Sequence, residues 1–222
     1  MASLFFGFLE GPARHAGALY ILGDLFEYWA GDDDRSDAFN GAVASALAAC
    51  ASQVEIRLMH GNRDFLIGSS FSREASLRLI SDETVVDLFG TATLLMHGDT
   101  LCTADIEYAD FRATVRSPQW VETFLAQPLT ERRRQIEALR TRSEEHKRHK
   151  SAEMMDVHPA AVEDALRRHA CTRLIHGHTH RPARHEHAVD GRICERWVLA
   201  DWYRKGSLLI CTQSGCRFEE IG

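Results

Sequence analysis

Residues 18–29 read ALYILGDLFEYW: a short apolar run, a Gly-Asp pair, then further aromatic residues. A run of this length closed by a turn signal is the pattern of a buried strand. Asp24 therefore stands at a strand's mouth. A lone aspartate there caps the next turn. Alternatively it binds a cation, and then further oxygen and nitrogen ligands must come from other strand ends. The sequence supplies them: VEIRLMHGNRD leads to Asn62, TATLLMHGD to His97, and TRLIHGHTH to His178 and His180. Residues at i and i+2 leaving a strand project to one side, so the two histidines of HTH reach adjacent positions.

This set of carboxylate, amide and imidazoles suits Mn²⁺, Fe²⁺ or Zn²⁺, and its oxygen-rich, thiol-free character favours Mn²⁺. The two oxygens of Asp24 can bridge ions roughly 3.5–4 Å apart, the separation used in phosphoryl chemistry. Asn62 is a neutral ligand and leaves the ions more positive. Asp64 and Asp99 are expected to orient histidines from behind, the other reading of each being a loop hydrogen bond. His15, His146, His149, His158 and His169 stand in polar or helical contexts and read as surface residues.

Strands mixed with helical stretches such as SDAFNGAVASALAACAS and HPAAVEDALRRHA predict an α/β sandwich flanked by helices, with functional residues on loops leaving strand ends. TVVDLFGTATLLM predicts a hairpin turning near Gly90, and the C-terminal third an antiparallel meander. Residues 102–158 read instead as a helical insertion, a candidate lid, within a single domain spanning 1–222. Along it Trp120, Phe124, Leu125, Leu129, Ile136 and Leu139 recur at spacings near three and four. They either pack the insertion onto the sheets or form a groove for hydrocarbon. Residues 131–150 carry a net charge of +4, a solvated face or a patch attractive to anionic lipid or diphosphate.

The net charge of −6 gives no global case for nucleic acid or an anionic membrane. Six scattered cysteines without a CxxC read as reduced thiols in a cytoplasmic protein, not as a zinc site or a disulfide framework.

The motifs GDLFEYWAGDD, HGNRDFLIG, MHGDTLCTADIEYADFR and IHGHTHRP, in this order over nearly the whole chain, resemble the calcineurin-like metallophosphoesterases. More closely, they resemble the UDP-2,3-diacylglucosamine pyrophosphatases of lipid A synthesis. Arg63 after Asn62, HGDTLCT and HGHTHRP sharpen the resemblance. It implies a two-Mn²⁺ hydrolase that splits the diphosphate of an acylated UDP-sugar into UMP and 2,3-diacylglucosamine 1-phosphate. Such an enzyme would work at the cytoplasmic face of the inner membrane, held peripherally, with no nucleic acid and no obligate protein partner. By the family pattern Asp24 bridges the ions, Asn62, His97 and His178 complete one site, and His180 joins the other. Asp24, Asn62, Arg63 and His178 would carry catalysis, with Arg63 neutralising charge on phosphate oxygens. Asn62, Arg63, Asp105, Ser143, Lys147, Lys150 and His178 would contact substrate.

The family pattern also places a strand ending in Asp-x-His upstream of the Gly-Asp strand, and those two side chains share the site of His180. This sequence starts at Met1 within what resembles the following helix. The first strand and two ligands of one ion are thus expected to be missing, as in a chain begun at an internal methionine. The other readings are a metallophosphoesterase for a soluble nucleotide and a catalytically impaired one-metal binding module.

Overall fold

The apolar runs form strands buried on both faces, which is why they read as nearly continuous rather than alternating. The computed structural model describes residues 2–34, 37–149, 156–203 and 205–221. The chain begins with α1 (Ala2–Glu10), a 3₁₀ turn (Pro12–His15), β1 (Ala18–Ile21), α2 (Ala38–Ala51) and β2 (Glu55–Met59). α3 (Ser69–Glu74), β3 (Arg78–Ile80), β4 (Thr84–Leu88) and β5 (Thr91–Met96) follow. A second 3₁₀ turn (Asp99–Leu101) leads into α4 (Ile106–Val115), α5 (Pro118–Leu125), α6 (Leu129–His149) and α7 (Pro159–Arg168). The chain closes with β6 (Arg173–His176), β7 (Ala183–Val189), β8 (Arg192–Val198), β9 (Gly206–Thr212) and β10 (Gly215–Ile221).

β1, β2 and β3 form a parallel sheet. A five-stranded sheet has the order β4-β5-β6-β8-β7, with β5, β6 and β8 parallel at its centre and an antiparallel strand on each side. Period-2 alternation divides the side chains among three cores. Met59, Leu95, Ile175 and Trp197 fill the space between the sheets. Ile56 and Leu58 face α1, α2 and α3, whose Leu9, Leu47 and Phe71 share their core. Leu94, Met96 and Leu174 face α7 through Val162 and Leu166. The result is the expected helix-flanked sandwich, and the hairpin at Gly90 is present as β4–β5.

The C-terminal third departs from the expected meander. β7–β8 is a hairpin inside the five-stranded sheet, whereas among the described residues β9 and β10 pair only with each other. Alternation tells which face a residue occupies but not which strand lies alongside.

Within 102–158 the described residues form α4, α5 and α6, and the apolar positions along them divide. Phe124 is buried in the first core, with Trp120 and Ile136 packed against it. Leu129 and Leu139 are half-buried, while Leu125 is exposed, as are Ile106 and Phe111 on α4. The packing reading therefore holds for part of the stripe.

The arginines at the start of the run are not free surface charge. Arg132 is buried, donating to the Ala30 carbonyl and pairing with Asp33, while Arg133 pairs with Asp34. Arg134 pairs with Glu131 within the helix, and Arg140 reaches Glu27 at 3.8 Å. Asp33 and Asp34 are thus a docking point for α6, while Asp32 accepts the Gly68, Ser70 and Phe71 N–H groups at the start of α3. Among the described residues no helix is long and apolar enough to cross a membrane.

Candidate metal centre at the strand ends

Each expected ligand leaves the C-terminal end of a parallel strand. The backbones there approach closely. A Cβ on Gly23 would lie 2.5 Å from Gly61 Cα, so the β1 and β2 turns touch where neither can carry a side chain. Asp24, His178 and His180 all have positive φ, at 55°, 62° and 53°. Three non-glycine residues in the left-handed region at one site mark a backbone held in place by its surroundings.

The structure brings Asp24, Asn62, His97 and His178 together. The Asn62 amide oxygen lies 3.0 Å from both His97 Nε2 and His178 Nδ1. His97 Nε2 lies 3.9 Å from Asp24 Oδ1, which accepts the Arg63 N–H at 3.0 Å. The Leu22 carbonyl is 2.8 Å from His97 Nδ1 and can only accept, so that nitrogen carries the proton of the neutral ring. Nε2 then carries the lone pair: it accepts the Asn62 backbone N–H at 3.3 Å and also faces another acceptor, the Asn62 amide oxygen. Two acceptors so placed fit a cation between them. Metal–donor bonds of about 2.1 Å at right angles set neighbouring donors about 3 Å apart. Among the described residues no group of three His, Cys, Asp or Glu side chains could by itself hold an ion. The Asn62 amide at the hub of these contacts supplies what such a group lacks.

His180 stands apart from this quartet. Its Nδ1 lies 3.6 Å from Asp201 Oδ2, and its ring lies edge-on to Tyr203 at 6.4 Å. Burial, then the charge of Arg63, push its pKa down. Burial and the neighbouring His97 bring His178 down to about 4. Both rings are therefore neutral at pH 7, as ligation requires.

The two carboxylates expected to orient histidines do other work. Asp64 is fully buried and accepts the backbone N–H groups of Gly61 and Leu25, both at 2.7 Å. It ties the β2 loop to the β1 loop. Burial, then the charge of Asp24, raise its pKa to about 6. Asp99 accepts from Tyr108 and, at 2.7 Å, from Arg112. Burial acts against its charge, but His97, Arg112 and Tyr108 outweigh it and hold the pKa at about 2. Asp99 thereby anchors α4 to the β5 turn.

Arg63 lies beside Asp24, with Nε 3.5 Å from Oδ2, and donates to Glu27 at 2.7 Å and to the Tyr203 hydroxyl. Tyr203 in turn donates to Glu27. Of the expected substrate contacts, Asp105 accepts from Tyr108 N at 3.1 Å as the N-cap of α4, and Ser143 is exposed on α6. Lys150 and the side chain of Lys147 lie outside the described residues. Glu27, Asp201 and Tyr203 were missed from sequence. Asp201 had a signal: VLAD closes an apolar run on an aspartate, though without the glycine that marks the other turns.

A family model described as calcineurin-like phosphoesterase matches residues 7–182. The chain belongs to that family. This calcineurin-like phosphoesterase is 56% identical over 200 residues to a UDP-2,3-diacylglucosamine hydrolase of Aromatoleum aromaticum, covering 90% of this chain and 81% of the relative. Proteins of the same name from Nitrosococcus oceani and Cellvibrio japonicus are 47% and 48% identical. Those matches cover 96% and 95% of this chain, and 85% and 88% of the relatives. Membership of the phosphoesterase family implies bound metal ions, and the quartet around Asn62 is the place whose donors fit one.

Proposed function

We propose that this phosphoesterase hydrolyses the diphosphate of UDP-2,3-diacylglucosamine, releasing UMP and 2,3-diacylglucosamine 1-phosphate for lipid A synthesis. The carrying observation is the convergence of Asp24, Asn62, His97 and His178 in a chain 46–56% identical to hydrolases of that name. The donor set favours Mn²⁺. When bound, divalent cations supply Lewis acidity and a more acidic water. In this reading Asp24 would be a ligand common to two ions, and His180 would help to hold the second.

The chain's own residues supply the rest. Asp64 and the Gly23–Gly61 contact hold two ligand loops in register. Arg63 places a permanent positive charge beside Asp24, where it can neutralise charge gathering on phosphate oxygens. Glu27 and Tyr203 hold its guanidinium extended, and the diphosphate replaces Glu27 as its partner. Asp105, Ser143, Lys147 and Lys150 are assigned to the glucosamine and phosphate groups. The exposed Ile106, Phe111 and Leu125 offer hydrocarbon a place at the helical segment, read as a lid. The acylated substrate puts the working chain in the cytoplasm, peripheral to the inner membrane.

UMP release from UDP-2,3-diacylglucosamine with Mn²⁺, abolished by chelation, tests the reading; absence of UMP overturns it. Equal rates on acylated and unacylated UDP-glucosamine favour a soluble nucleotide as substrate. The donor-poor surroundings of His180 favour the remaining reading, a one-metal binding module, which predicts cation binding without turnover.

A further inference from the structure

We propose that Arg196 is a positioning residue that, through the buried imidazole of His176, sets the backbone of the His178–His180 loop. The inference rests on the reading of that loop as ligand-bearing.

Arg196 lies on β8, 92% shielded from solvent, and His176 ends β6 with no exposed surface. Arg196 Nη1 lies 3.2 Å from His176 Nε2, and its Nε lies 3.2 Å from His187 Nε2. Among the described residues these imidazoles are its hydrogen-bond partners, and no carboxylate pairs with it. A guanidinium has only donors, so both histidines meet it through lone pairs. His176 is therefore neutral and protonated on Nδ1. That nitrogen lies 2.9 Å from the Gly177 carbonyl, to which it donates.

The ring is a wedge between two ligand loops. It fixes Gly177, one residue before His178, and a Cβ on Gly98 would lie 2.7 Å from its Nδ1. Gly98 follows His97. The His176 carbonyl accepts from Leu199 N at 2.7 Å, and Gly177 N donates to the His97 carbonyl at 2.9 Å. A loop with left-handed φ at both His178 and His180 needs such an anchor. Burying a guanidinium is costly, and burial outweighs the charge of Asp156, the carboxylate that acts on it without a direct pair. The Gly177 carbonyl already favours a proton on Nδ1; an obligate donor at Nε2 adds that neither the other tautomer nor the doubly protonated ring can form, which a neutral residue would leave open.

The test uses the full chain and Mn²⁺ alone. Long-range ¹H–¹⁵N spectra of the wild-type protein should show His176 protonated on Nδ1, and Arg196→Met should release that tautomer. Mn²⁺ affinity, read from the free-ion electron paramagnetic signal, should fall about 10-fold or more in Arg196→Met and recover in large part in Arg196→Lys, which keeps one donor. In a His176→Asn background, where the amide meets Gly177 without help, Arg196→Met should change affinity less than 2-fold. Melting curves of cation-free protein verify that each variant is folded. An Nε2-protonated His176 in the wild type, or wild-type affinity in folded Arg196→Met, overturns the proposal. Failure of the wild type to bind Mn²⁺ removes the metal reading instead, and the tautomer then decides this proposal alone.

Discussion

Asp24 has two unlike flanks. On one side Asn62, His97 and His178 stand within a chain of contacts of 3.0–3.9 Å, each on its own strand end. On the other, His180 faces Asp201 and Tyr203, and the nearest cationic group is Arg63. The first flank is built from rigid sheet geometry with glycines where the backbones meet. The second is assembled from the loop after β8 and from side-chain pairs. Donor density follows the sheet: wherever parallel strands end side by side, ligands come close together without long side chains to order.

Substitution on the two flanks gives the largest expected contrast. Asn62→Ala or His97→Ala should lower UMP release on the order of 10³-fold, and His180→Ala clearly less. Equal losses would show that both flanks carry the reaction alike. Mn²⁺ titration of the same chain should give two steps, the second at least about 10-fold weaker, with His180→Ala removing only that step. A single tight two-ion step would erase the distinction.

Arg63 sharpens it from the sparse side. Arg63→Ala should cost about 10²-fold in kcat with little change in Mn²⁺ affinity, and Glu27→Gln should lower KM by freeing the guanidinium for the diphosphate. A rise in KM with unchanged kcat in Arg63→Ala would assign Arg63 to ground-state binding alone.

How much of this was legible in the sequence follows from the same contrast. The dense flank could be read because each ligand sits directly after an apolar run and beside a glycine. His97 and Asn62, 35 residues apart, needed the rule that parallel strands deliver their ends to one edge, together with the packing of the two sheets that brings both edges to the same end. Tyr203 meets Glu27 across 176 residues with no such signal, and its phenol is not a metal donor that a motif search would seek. The pairing of the arginine run was illegible for a related reason. Arg132 and Arg133 find Asp33 and Asp34 99 residues upstream, and charge pattern along a helix does not say what lies opposite it. Asp64 and Asp99 were expected to orient histidines, but their partners are backbone amides, a tyrosine and an arginine, which only the fold brings near.

The clasp between Asp33 and Arg132 gives the smallest expected effect. The hydrogen bond from Arg132 holds the Asp33 carboxyl below its usual range. A depressed folded pKa means stability that is present above the unfolded value near 4 and lost as pH falls further. Asp33→Asn should therefore destabilise by no more than about 1 kcal/mol at pH 7, with the difference from wild type shrinking towards pH 3. If Asp33→Asn also altered the first Mn²⁺ step, the helical segment would be coupled to the dense flank, against the separation drawn above.

The meeting of Gly23 with Gly61, and of Gly98 with the His176 ring, has a consequence for variation. In a saturation survey of this chain scored by growth or turnover, these three positions should be as intolerant as the ligands, alanine included, although none bears a functional group. Tolerance should instead be found among the exposed apolar residues of α4 and α5, which touch none of the ligand loops' glycines.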